Sequence, residues 1–129
     1  MKRLLSIFVV VGALALLPAA GALAQETLTI QVAKKAALVD GGRAVAVTVT
    51  VTCPSGSEVL EAFVYVVQDE SQSLFAPLQV TCDGTTHTQT VEVPAGATPF
   101  HAGSARVSGY ILLTSGAAVS PTATIKIRK

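Results

Sequence analysis

From residue 27 onward, apolar and polar residues alternate with a period of two, the repeat of strands that bury one face. In residues 27–32, Leu28, Ile30 and Val32 share one face and polar residues take the other. The turn signal Asp40-Gly41-Gly42 precedes the most regular run, 44–53. There Val45, Val47, Val49, Val51 and Cys53 share a face, and Thr48, Thr50 and Thr52 share the opposite one. After a Pro-Ser-Gly-Ser turn at 54–57 comes the run 59–68, which is apolar on both sides. Leu60, Ala62, Val64 and Val66 line one side; Phe63, Tyr65 and Val67 line the other. Such a strand is central or covered twice, so Phe63, Tyr65 and Val67 form a candidate binding face, to be covered by a loop or a partner. Residues 69–73 read as a polar loop. Leu78, Val80 and Cys82 alternate again, and Asp83-Gly84 opens a turn. Three more strands follow: 86–93 with Val91 and Val93 inward, 104–114, and 122–128 with Ala123, Ile125 and Ile127 in phase.

Seven short strands without an amphipathic helix predict an all-β fold. The expected architecture is a single immunoglobulin-like or fibronectin-III-like antiparallel sandwich, with a small Greek-key barrel as the competitor.

The N-terminus breaks the pattern. Lys2 and Arg3 precede the uncharged apolar run 4–17, Pro18 interrupts it, and Ala22-Leu23-Ala24 has the small-x-small spacing of a signal-peptidase site. This predicts a signal peptide at 1–24, cleavage between Ala24 and Gln25, and a β-sandwich domain at 25–129. The alternative is a retained membrane anchor, since Leu4 to Ala24 holds about 20 apolar or small residues, roughly enough to span a bilayer as a helix. The helix-breaking Pro-Ala-Ala-Gly-Ala segment and the cleavage pattern favour removal. Export by the Sec pathway places the protein outside the cytoplasm, secreted or in the periplasm or cell envelope. Lys2 and Arg3 leave with the signal, so nine basic residues fall to seven against eight acidic, and the formal charge passes from +1 to −1. No clustered basic face implies nucleic acid or an anionic membrane surface. The mature chain has no Asn and therefore no N-glycosylation acceptor. It also lacks Trp, leaving Tyr65 or Tyr110 as a stacking platform for sugars.

Cys53 and Cys82 are the only cysteines, and both fall in phase with inward-facing valines. In an exported domain they predict a disulfide, pinning the ends of the second and fourth strands at one pole rather than crossing the middle of the core. No CxxC redox pair and no additional ligands at metal-site spacing occur, so neither a metal nor a cofactor is predicted. His87 and His101 have no spacing that makes a metal pair, and no Gly-x-Ser-x-Gly elbow or phosphate-cradling loop is present. Glu58 and Glu61 point to opposite sides of a strand. The chain therefore reads as a non-enzyme.

Two stretches carry a resemblance: C-D-G-T-T-H-T-Q-T-V-E-V at 82–93 and P-F-H-A-G-S-A-R-V at 99–107. With Thr50-Val51-Thr52-Cys53-Pro54-Ser55-Gly56 and Gln68, they resemble a group of small secreted domains of actinobacterial type, over roughly residues 44–115. The resemblance implies an exported, disulfide-bridged Ig-like β-sandwich of unknown function with no catalytic residues. Gln89 stands where that group usually carries Trp. The leading expectation is an extracellular or envelope module with a binding or structural role toward a protein or cell-envelope component, and no membrane contact after cleavage. The alternatives are an inhibitor or effector presenting the loop 69–76 or 94–101, and, less favoured, a small hydrolase using His87, His101 and Asp83.

Overall fold

The computed structural model describes residues 27–69 and 71–129. The cleavage position between Ala24 and Gln25 lies outside the described residues. Among the described residues ten strands form: β1 (Thr29–Val32), β2 (Lys35–Val39), β3 (Ala44–Thr52), β4 (Val59–Gln68), β5 (Ser71–Gln72), β6 (Ala76–Pro77), β7 (Thr86–Pro94), β8 (Gly103–Leu113), β9 (Ala118–Val119) and β10 (Thr122–Arg128). The protein is all-β, in a sandwich-like arrangement.

The hydrogen-bonded path runs β1-β3-β2-β10-β8-β4-β5, with β7 beside β3, β6 beside β4 and β9 beside β8. The path folds on itself because each long strand turns an apolar face to the same core. Val45, Val47, Val49 and Val51 of β3 join one buried cluster with Val64 and Val66 of β4, Val107 and Ile111 of β8, and Ile125 and Ile127 of β10. Thr48, Thr50 and Thr52 stay on the wet side, where their hydroxyls bond across to Thr90, Thr88 and Thr86 of β7 at 3.2, 3.1 and 2.7 Å.

One pairing departs from a purely antiparallel sandwich. After Ala33-Lys34 the chain stays beside β3, with Ala37 opposite Ala46, and β2 also pairs in parallel with β10, Lys35 opposite Lys126. The Ala33 amide still donates to the Thr48 carbonyl, while the Lys126 amide donates to the Lys34 carbonyl, so the junction leaves both backbones bonded. The turn from β2 into β3 depends on Gly42. Its φ of 102° and its contact with Phe100 exclude a β-carbon, which would meet the Phe100 carbonyl oxygen.

Six of the seven expected strands form close to their expected bounds. The seventh, 78–82, does not. Leu78 is buried, and Val80 and Cys82 pack against the core, yet the segment has no continuous ladder partner. It crosses from β4, where the Leu78 amide donates to the Ala62 carbonyl, to β7, where the Gln79 backbone meets Gln89. Its alternation reports burial against the core rather than membership of a sheet. β2 went unread because Lys-Ala-Ala-Leu-Val carries little contrast.

Candidate binding face

β4 and β8 pair antiparallel, with Phe63 opposite Tyr110, Tyr65 opposite Ser108 and Val67 opposite Arg106. Because Val64 and Val66 point inward and are fully buried, the odd-numbered side chains must face out. Phe63, Tyr65 and Val67 are half-buried there. Their partial cover is Phe75, delivered by the return between β5 and β6. Its ring lies flat on Phe63, centroids 4.7 Å apart and planes 4° from parallel. Tyr65 flanks Phe75 at 5.1 Å, and Tyr110 flanks Phe63 at 5.4 Å. Phe75 nevertheless keeps 58% of its surface exposed. One ring face is held by stacking and the rest meets solvent. The stacked rings thus form an aromatic cluster that is open to solvent on its outer side.

The return that carries Phe75 is firmly set. The Ser73 amide donates to the Val66 carbonyl, and the Val66 amide donates to Ser73 Oγ at 2.8 Å, so a buried serine completes the ladder. Pattern reading missed Phe75 because a loop has no period. The only signal was the apolar pair Leu74-Phe75 directly after a polar stretch. Tyr110 sits out of phase with the inward residues Val107 to Leu113, which placed it outward.

The cysteines form the predicted disulfide, with Cα atoms 4.4 Å apart. Cys53 directly follows β3, whereas Cys82 lies in the strandless crossing before β7, so the bridge does not join two strand ends as expected. The Gly84 amide donates to the Cys53 carbonyl beside it, and Thr52 pairs with Thr86. The bridge thus closes the corner at one end of the β3–β7 pair. A disulfide of this kind fits an oxidising compartment.

The two histidines occupy different places. Near the disulfide, His87 Nε2 lies 3.0 and 2.9 Å from the two Asp83 carboxylate oxygens, and the Thr85 amide and hydroxyl both donate to Asp83. The Thr85 backbone bond, then its hydroxyl, then His87 lower the Asp83 carboxyl from an ordinary 3.8 to about 2. His101 instead follows Phe100, on the far side of the Gly42 turn. Its Nδ1 faces the Ala102 carbonyl at 2.9 Å and its Nε2 faces Asp69 at 3.0 Å. These two acceptors, the carbonyl first, raise its pKa above the ordinary imidazole value. His87 and His101 therefore do not converge with Asp83 in one cleft. A cavity of about 400 Å³ beside His101 is lined by Leu38, Gly41, Phe100, Ala102 and Lys129, which form no acid–base or nucleophile pair. Among the described residues, no group of three or more His, Cys, Asp or Glu side chains is placed to hold a metal, and no helix is long and apolar enough to cross a membrane.

Two glutamines do structural work that sequence reasoning did not anticipate. Gln68, 1% exposed, donates from Nε2 to the carbonyls of His101 and Ser104 and accepts from the His101 amide. Gln89 donates to the Gln79 carbonyl at 2.6 Å and accepts from the Gln79 amide at 3.2 Å. A side-chain amide thus ties the crossing 78–82 to β7, at the position where the resemblance puts Trp. The sequence matches no known protein-family model and no curated protein.

Proposed function

We propose that this chain is an exported, immunoglobulin-like β-sandwich module without catalytic activity, docking a protein or cell-envelope partner through the outer face of β4 and β8. The observation that carries the reading is Phe75, stacked on Phe63 and still more than half exposed. Export rests on the signal-like residues 1–24 and agrees with the disulfide. The loop-presenting effector is disfavoured by both candidate loops. Residues 71–77 return along β4, while residues 95–100 are tied down by bonds from Ala95 to Arg43, Gly96 to Gln72 and Phe100 to Gly42. A hydrolase is disfavoured by the separation of the two histidines.

The test is a photocrosslinking amino acid placed at position 75 in cells that export the protein, with position 88 on the threonine face of β7 as control. A discrete adduct from position 75 and none from position 88 is expected. Absence of an adduct from position 75 would falsify the binding-face reading.

A further inference from the structure

Beyond hydrophobicity, the aromatic face has a charge polarity along its strands. One end carries Glu61 on β4, opposite Leu112 on β8; the other carries Arg106 on β8, opposite Val67, and Lys126 on β10, opposite Ser104. Glu61, Arg106 and Lys126 are exposed. Among the described residues none of the three makes an ion pair; Lys126 reaches only Ser104 Oγ, at 3.4 Å. Asp69, near the same end, is engaged by His101. The aromatic rungs Phe63–Tyr110 and Tyr65–Ser108 lie midway between the charged ends. The face is thus ordered acid, aromatic, aromatic, base, which is complementary to its own reversed image.

We propose that the occupant of this face is a second copy of the same chain, docked about a two-fold axis passing between the Phe63 and Tyr65 rungs. The inference rests on the docking reading above and names its partner. The axis sets Glu61 of each copy against the Arg106 end of the other and stacks the two Phe75 platforms into one aromatic layer. A two-fold contact needs such a self-complementary patch. Its size sets the strength. Glu61 to Val67 spans about 20 Å and the strands β6 to β10 about 15 Å, so the footprint is roughly 300 Å² on each copy. Even with side-chain relief, the total falls below the roughly 1,200 Å² of stable complexes, so the pairing is reversible and concentration-dependent.

Sedimentation equilibrium of the exported chain, from micromolar to millimolar, tests this with two charge reversals. Glu61→Arg and Arg106→Glu each set like charges together at both ends, and each alone is expected to weaken association by about tenfold. An equimolar mixture of the two variants restores it, because one copy then carries both bases and the other both acids. Both side chains are exposed and, among the described residues, make no ion pair, so matching melting curves establish that the variants fold; Glu61→Gln with Arg106→Gln is the milder pair. A monomeric wild type at millimolar concentration overturns the proposal. A mixture no tighter than the single variants overturns the two-fold arrangement. In the crosslinking experiment, an adduct of twice the chain mass agrees with a second copy. An adduct of another mass refutes the second copy while the docking reading stands, and no adduct refutes both.

Discussion

Replacing Gln68 by Leu removes a buried side chain that joins the end of β4 to the corner leading into β8. The shape is nearly retained, so the loss lies in three hydrogen bonds: to the His101 carbonyl at 2.8 Å, to the Ser104 carbonyl at 3.2 Å and from the His101 amide at 3.0 Å. At roughly 0.5–1.5 kcal/mol each, their sum is roughly 1.5–4.5 kcal/mol. The His101 side chain is exposed, so water reaches part of the corner and rescues some of the orphaned groups, which favours about 2–3 kcal/mol. For a domain near 100 residues, each kcal/mol lowers Tm by roughly 4–8 °C, giving a drop of roughly 10–20 °C. Urea titration followed by far-ultraviolet circular dichroism should show a lower midpoint at unchanged slope. Hydrogen exchange should quicken at the His101 amide. A loss under about 0.5 kcal/mol, the range of ordinary surface substitutions, would refute the assignment of Gln68 as the tie of this corner.

Replacing Cys53 and Cys82 together by Ala should cost about 3–4 kcal/mol from the chain entropy of a 29-residue separation, measured by urea unfolding against the oxidised wild type. Gly42→Ala should destabilise by at least about 1–3 kcal/mol through its positive φ alone, with the Phe100 contact adding to that, whereas Gly41→Ala, which meets no neighbouring atom within 4 Å, bears only the backbone strain; thermal melts should rank them so. Because the Asp83 pKa is depressed, its contribution to stability is complete above the ordinary carboxylate value and disappears as pH falls from 3.8 through about 2; a Thr85 amide resonance titrating at an ordinary carboxylate pKa would contradict the contacts drawn around it. His101 has the opposite sign: its contribution is complete below the ordinary imidazole value and is lost as pH rises through the elevated one. Asp69→Asn should therefore lower the imidazole titration followed by proton NMR.

The strand residues of the candidate face and the ring that covers them differ in how readily they were read. Phe63, Tyr65 and Val67 stood out because a strand apolar on both sides needs a second cover, a local property of ten consecutive residues. Phe75 did not, because its position over Phe63 depends on how the 69–76 return lies along β4, a contact with no periodic trace. Likewise, the inward phase of Cys53 and Cys82 announced their pairing, yet not that Cys82 would sit outside any strand.

By itself, the amino-acid sequence determined what depends on neighbours along the chain: the period-two strands, the inward valines, the shared face of Thr48, Thr50 and Thr52, the turn at Asp40-Gly41-Gly42 and the single possible disulfide. Tertiary structure alone decided which partners those strands take. It placed β2 between β3 and β10, left 78–82 without a ladder, and set the Gln68 and Gln89 amides as ties between distant backbones. It also ordered Glu61, the aromatic rungs and Arg106 along one face. The physical reason is that alternation encodes burial, which is a property of one strand. Pairing, stacking and charge order are relations between strands far apart in sequence, and they exist only once the backbone has closed around the core.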